Sequence, residues 1–140
     1  MGAIWTKSDT RGSVDVEELR PGHLWIRVQG HLTPSTGGEL PSLISLAVGT
    51  AEPLRLLVDA RRMHGCDRAV VGVLRAFLAG AARAVRVTVA TRGLQGTVTA
   101  RTAALFVRQF GMELEVVTNE LDFETRMVRA RRTALFSRAA

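Results

Sequence analysis

The sequence predicts an α/β domain built on a single mixed, mostly parallel sheet, and three observations carry that prediction. Apolar residues alternate at strand period in Leu24, Ile26 and Val28, in Leu54, Leu56 and Val58, in Val85, Val87 and Val89, and in Leu114 and Val116. Between these runs apolar residues recur at helix period, as at Val70, Val71, Leu74, Phe77, Leu78 and Ala81. The connections are short, and strands that alternate with helices pair in parallel through right-handed crossovers. The order reads ββαβαβαβα. Because the strands alternate and are not continuous apolar runs, their apolar positions share one face, and the helices are expected mainly on that side. The other face collects Trp25, Arg27, Arg55, Arg86, Thr88, Glu113 and Glu115 and is expected to stay largely wet.

Residues 1–12 read as a tail or weak first strand, and 13–140 as one domain. Val14, Val16 and Leu19 precede Pro21 and Gly22, which suit the centre of a type II turn, so this stretch and Leu24 to Val28 form a hairpin. Thr33 and Pro34 start a helix, and Gly37, Gly38 and Pro41 leave it short or kinked, with Leu40, Leu43, Ile44 and Ala47 on its apolar face. A strand at 54–59 leads into a helix at 67–82 with Asp67 as its cap, its carboxylate suited to the free amides of the first turn. A strand at 85–89 and a loop from Thr91 to Thr97 precede a helix carrying Ala103, Phe106, Val107 and Phe110, which Gly111 ends. After Leu114 and Val116, Asn119 caps a last helix with Glu120, Asp122 and Glu124 in its first turn and Arg126, Arg129, Arg131 and Arg132 beyond, the order the helix dipole prefers. That helix has one apolar stripe at Phe123, Met127, Ala130 and Ala134 and a second at Leu121, Val128 and Leu135, which is free to meet a neighbouring helix or another subunit.

At 140 residues the chain suffices for one core. No run approaches the roughly 18 apolar residues of a membrane span, and Met1 to Lys7 has no signal-peptide core. A single cysteine, Cys66, allows no internal disulfide, so a cytoplasmic location is expected. The net charge of +6 is almost wholly arginine, since Lys7 is the one lysine among 19 basic residues. GC-rich codons produce that bias, and so does a need for bidentate contacts to carboxylate or phosphate. Absent tyrosine and few aromatics argue against base stacking on nucleic acid.

Ligands of parallel sheets sit at the carboxyl ends of the strands. Those ends carry His31, Arg61, Arg62, His64, Cys66, Asp67, Arg68 and Arg92. The arginines beside a helix start suit a carboxylate-rich protein surface or a phosphate, and equally suit pairing with Asp59 or Asp67. Cys66 beside a helix start and arginines would have a lowered pKa, yet no histidine–carboxylate relay surrounds it, and no metal or cofactor set is legible. Gly93 to Thr97 lacks the lysine of a phosphate loop and reads as punctuation.

Two stretches resemble the STAS domain, the fold of bacterial anti-sigma-factor antagonists. Gly30, Leu32, Glu39 and Leu40 keep the spacing of that family's first helix entry, and Val58-Asp59, followed after seven residues by Asp67 to Leu74, keeps the spacing of its phosphorylation signature. The match covers about residues 13–134. The resemblance implies a non-enzymatic regulatory module that docks a kinase-like anti-sigma factor or another STAS protein, through a surface including Arg61, Arg62, His64, Asp67, Arg68, Ala69, Val71 and Arg92. The family's phosphoacceptor serine falls at Ala69, and no serine or threonine occurs from Ala51 to Val87. The usual switch is therefore missing. Two other readings stand beside this one: a carrier of a small anionic or lipid ligand at the same edge, and a homo-oligomeric scaffold using the wet sheet face or the last helix.

Overall fold

In the computed structural model, which describes residues 4–48, 53–81 and 84–139, six strands lie in one sheet in sequence order. They are β1 (Ile4–Ser8), β2 (Gly12–Arg20), β3 (His23–Leu32), β4 (Leu54–Cys66), β5 (Val85–Ala90) and β6 (Glu113–Val117). β1, β2 and β3 pair antiparallel, and β3 to β6 pair in parallel. The helices are α1 (Pro34–Gly37), α2 (Leu40–Val48), α3 (Arg68–Ala81), α4 (Leu94–Arg108) and α5 (Glu120–Ala139). Each parallel crossover steps the same way along the sheet, so right-handedness stacks α1 to α4 on one side. This is the mixed α/β arrangement read from the sequence.

The main core lies between that sheet face and α1 to α4. Val14, Val16, Leu24, Ile26, Val28, Leu54, Leu56, Val85 and Val87 pack there with Leu40, Ile44, Val70 and Val107. Gly22 turns the β2–β3 hairpin at φ 85°, as its Pro-Gly sequence requires. The helix expected from Thr33 is broken into α1 and α2 around Gly38. The Thr36 hydroxyl accepts from the Thr33 N–H at 3.1 Å, and the Thr33 hydroxyl donates to Asp9 at 2.5 Å. Asn119 caps α5 as expected, its side-chain oxygen accepting from the Asp122 N–H at 3.2 Å.

Two departures from the sequence reading change the sheet and its faces. β4 runs on to Cys66 where a loop was expected after 59, because residues 62–66 continue to pair with Gln29 to Leu32 of β3 through two register shifts. Gly30, at φ 74°, makes the accompanying bend: a Cβ there would lie 2.4 Å from the Arg11 carbonyl oxygen. The second departure concerns the face expected to be wet. α5 lies across it, burying Phe123 and Met127 against Leu19, Leu57, Ala90 and Val117, with Trp25 and Ala130 at the edge. Consecutive apolar residues at Leu56-Leu57 and Val116-Val117 put apolar area on both faces of β4 and β6, and α5 covers the second share. The second stripe of α5 faces solvent at Leu121 and Val128, while the side chains of Ala47, Ala134 and Leu135 lie outside the described residues.

Candidate functional site

The strand-end corner is assembled by β4 turning directly into α3. The Asp67 N–H donates to the Leu32 carbonyl at 2.9 Å, and its own carbonyl accepts from the N–H groups of Val70 and Val71. Asp67 thus occupies the cap position, but its carboxylate is turned away from the helix amides. It meets His31 Nε2 at 2.6 Å and the Arg11 guanidinium at 3.5 Å. The His31 ring lies against Gly65, where a Cβ would sit 2.8 Å from its Nδ1. These contacts hold the corner to β3 and to the β1–β2 turn without covering it: Arg62, His64, Arg68 and Ala69 are all exposed.

The two other arginines read as docking groups have partners on α5. Arg61 bonds Asp59 through Nε at 2.9 Å and Nη2 at 2.8 Å, reaches Glu124 at 3.0 Å, and lies 5.2 Å over the Phe123 ring. With its side chain only 18 % exposed, Arg61 belongs to the joint between β4 and α5 and not to the open surface. Burial pushes the Asp59 carboxyl up, but the side-chain and backbone bonds from Arg61 outweigh it and hold the group below its ordinary value. Arg92 stays at the surface, with its charge answered by Glu120. Glu120 and Glu124 near the start of α5 therefore neutralise two of the strand-end cations, a role beyond complementing the helix dipole.

Val71 is half-buried, whereas Val73 is 49 % exposed. The open face of α3 consists of Arg68, Ala69, Gly72, Val73, Arg75 and Ala76. At Gly72 a Cβ would meet nothing within 4 Å, so the glycine is not there to make room for the chain's own packing. A mid-helix glycine costs about 1 kcal/mol relative to alanine.

Cys66 does not have the lowered pKa its position suggested. Burial, with the neighbouring Asp67 carboxylate, pushes the thiol up, and it points at the Asp67 carbonyl at 3.5 Å. Among the described residues no three His, Cys, Asp or Glu side chains converge as a metal site. The stretch read as a loop as far as Thr97 is shorter: α4 starts at Leu94 after Gly93 at φ 83°, and the Thr97 hydroxyl donates to the Gly93 carbonyl at 2.8 Å within the first helical turn.

No protein-family model and no curated protein matches the sequence. Among solved structures, the chain is similar to an uncharacterised protein of the DUF3478 family from Shewanella loihica PV-4, described as having a SpoIIAA-like fold. The TM-score is 0.58 at 17 % identity, over 89 % of this chain and 91 % of that one. The fold of this chain is accordingly SpoIIAA-like, the STAS-type α/β architecture.

Proposed function

We propose that this SpoIIAA-like domain is a non-enzymatic regulatory module that docks a protein partner on the β4–α3 corner and the open face of α3. The partner chemistry that fits is a surface with carboxylates for Arg62 and Arg68 and an apolar contact for Val73, as in a kinase-like anti-sigma factor or another STAS protein. The observation that carries the reading is the open face of α3, where Arg68, Ala69, Gly72 and Val73 are exposed beside the corner and a Cβ at Gly72 would meet nothing within 4 Å. The signature position, Ala69, belongs to that face and has no hydroxyl to accept a phosphate. Docking is therefore governed by partner availability and not by phosphorylation of this corner. A cytoplasmic setting suits this role, and no described helix is long and apolar enough to cross a membrane.

The test is quantitative capture from lysate of the source organism with the wild type and with Arg68→Glu and Val73→Asp variants of verified melting temperature. Both sites are exposed, so the variants are expected to fold and to lose the principal partner by about tenfold or more, the effect of an unpaired or buried charge at an interface. Retention of every wild-type partner by both variants would remove the proposal.

A further inference from the structure

The sheet register lines up a row of cations at the end of the molecule opposite the docking corner. Arg20 of β2 pairs with His23 of β3, His23 with Arg55 of β4, Arg55 with Arg86 of β5, and Arg86 with Glu113 of β6. Like charges directly across neighbouring strands repel, so the Arg55–Arg86 pair opposes folding. α5 brings Arg126 and Arg129 over the same row, and together they enclose a cleft of about 260 Å³. Thr88 adds a hydroxyl, and Leu57 and Ala130 line the apolar part.

Among the described residues no carboxylate side chain lines this cleft. Arg126 is held by Glu115 at 2.7 Å and by Asp122 at 3.2 Å, and Arg86 reaches Glu113 at 3.5 Å on the rim. Among the described residues neither Arg20 nor Arg55 has a carboxylate within 4.0 Å. Arg20 instead donates through Nε to His23 Nδ1 at 3.1 Å, which requires that nitrogen to be unprotonated. Burial and the nearby Arg20 and Arg55 charges also lower the His23 pKa, so His23 sits among the cations as a neutral ring. A coding bias toward arginine scatters guanidinium groups over a surface. It does not by itself align those of β2, β4 and β5 across one cleft.

We propose that this cleft binds a small phosphate-bearing anion with two or more negative charges, held by the guanidinium groups of Arg20, Arg55 and Arg86 and by the Thr88 hydroxyl. Tetrahedral oxyanions accept the forked donors of arginine, and an anion at this point reverses the repulsion along the row. The volume suits a diphosphate group. The site is independent of the docking corner.

Calorimetric titration of the full chain at low salt with inorganic pyrophosphate, and separately with adenosine diphosphate, tests it. Saturable one-site binding is expected, weakened about tenfold or more by Arg55→Gln and unchanged by Arg62→Gln at the other end. Tighter binding of the nucleotide assigns the site to a nucleoside diphosphate, and equal binding assigns it to the diphosphate group alone; either supports the inference. In anion-free buffer Arg55→Gln is expected to raise the melting temperature by relieving the row. The absence of binding at millimolar pyrophosphate would overturn the proposal, as would equal weakening by Arg62→Gln.

Discussion

Arg61→Ala is expected to cost the domain about 3 kcal/mol at neutral pH, because it leaves the Asp59 carboxylate buried without its cation. The lost Glu124 contact and the guanidinium stacked on Phe123 add to this through the seating of α5. The pH dependence gives the prediction its sign. In the wild type the Asp59 carboxyl is held below its ordinary value of 3.8, so its contribution is complete above that pH and is lost as pH falls through the lower folded value. In Arg61→Ala burial, which raises the folded value, is opposed by the backbone N–H of residue 61 and by the Arg27 charge, the smallest of the lowering influences, and no longer by the guanidinium, so the penalty is largest at neutral pH and fades as the carboxylate is protonated. Urea unfolding from pH 7 to pH 3 should therefore show the gap between the two proteins closing on the acid side. A gap that is constant with pH would mean that the Asp59 charge is not what Arg61 compensates. Arg61→Ala at a folding temperature should at the same time leave partner capture intact, which separates this arginine from Arg68.

Phe123→Ala is expected to be at least as severe, about 3–5 kcal/mol, since the ring is 1 % exposed and anchors α5 to Leu57, Ala90 and Val117. The optical consequence is specific. Trp25 lies between the guanidinium groups of Arg27 at 5.5 Å and Arg131 at 5.2 Å, with its indole N–H buried and unpartnered. When α5 lifts, that N–H gains water and the emission shifts to the red. A Trp5→Phe background isolates this signal, since Trp5 packs on the opposite core. A loss below about 1 kcal/mol with unshifted emission would show that α5 is not packed on the second face.

Much of this architecture was legible because the strands and helices follow two different apolar periods. The helical face of the sheet could be read residue by residue from Leu24 to Leu114, and the break between α1 and α2 followed from Gly38 and Pro41. The covering of the second face was harder to see, because its apolar share is confined to Leu19, Leu57, Ala90 and Val117 among charged neighbours. The doublets at Leu56-Leu57 and Val116-Val117 were the available signal. At the corner, residue types placed Arg68 and Ala69 on α3, but pairing across long sequence distances decided the rest. Arg61 finds Glu124 and Asp67 finds His31, and neither partner is fixed by local spacing. The basic row of Arg20, His23, Arg55 and Arg86 depends on register between strands, which alternation alone does not reveal.

The turn from β4 into α3 is the surface proposed to receive another protein. Amide hydrogen exchange on the complex with the captured partner, compared peptide by peptide with the free chain, decides whether it does. New protection is expected over residues 62–76, with α5 and the starts of β4 and β5 unchanged. Protection confined to α5 or to the arginine-lined cleft, with 62–76 exchanging as in the free protein, would contradict it.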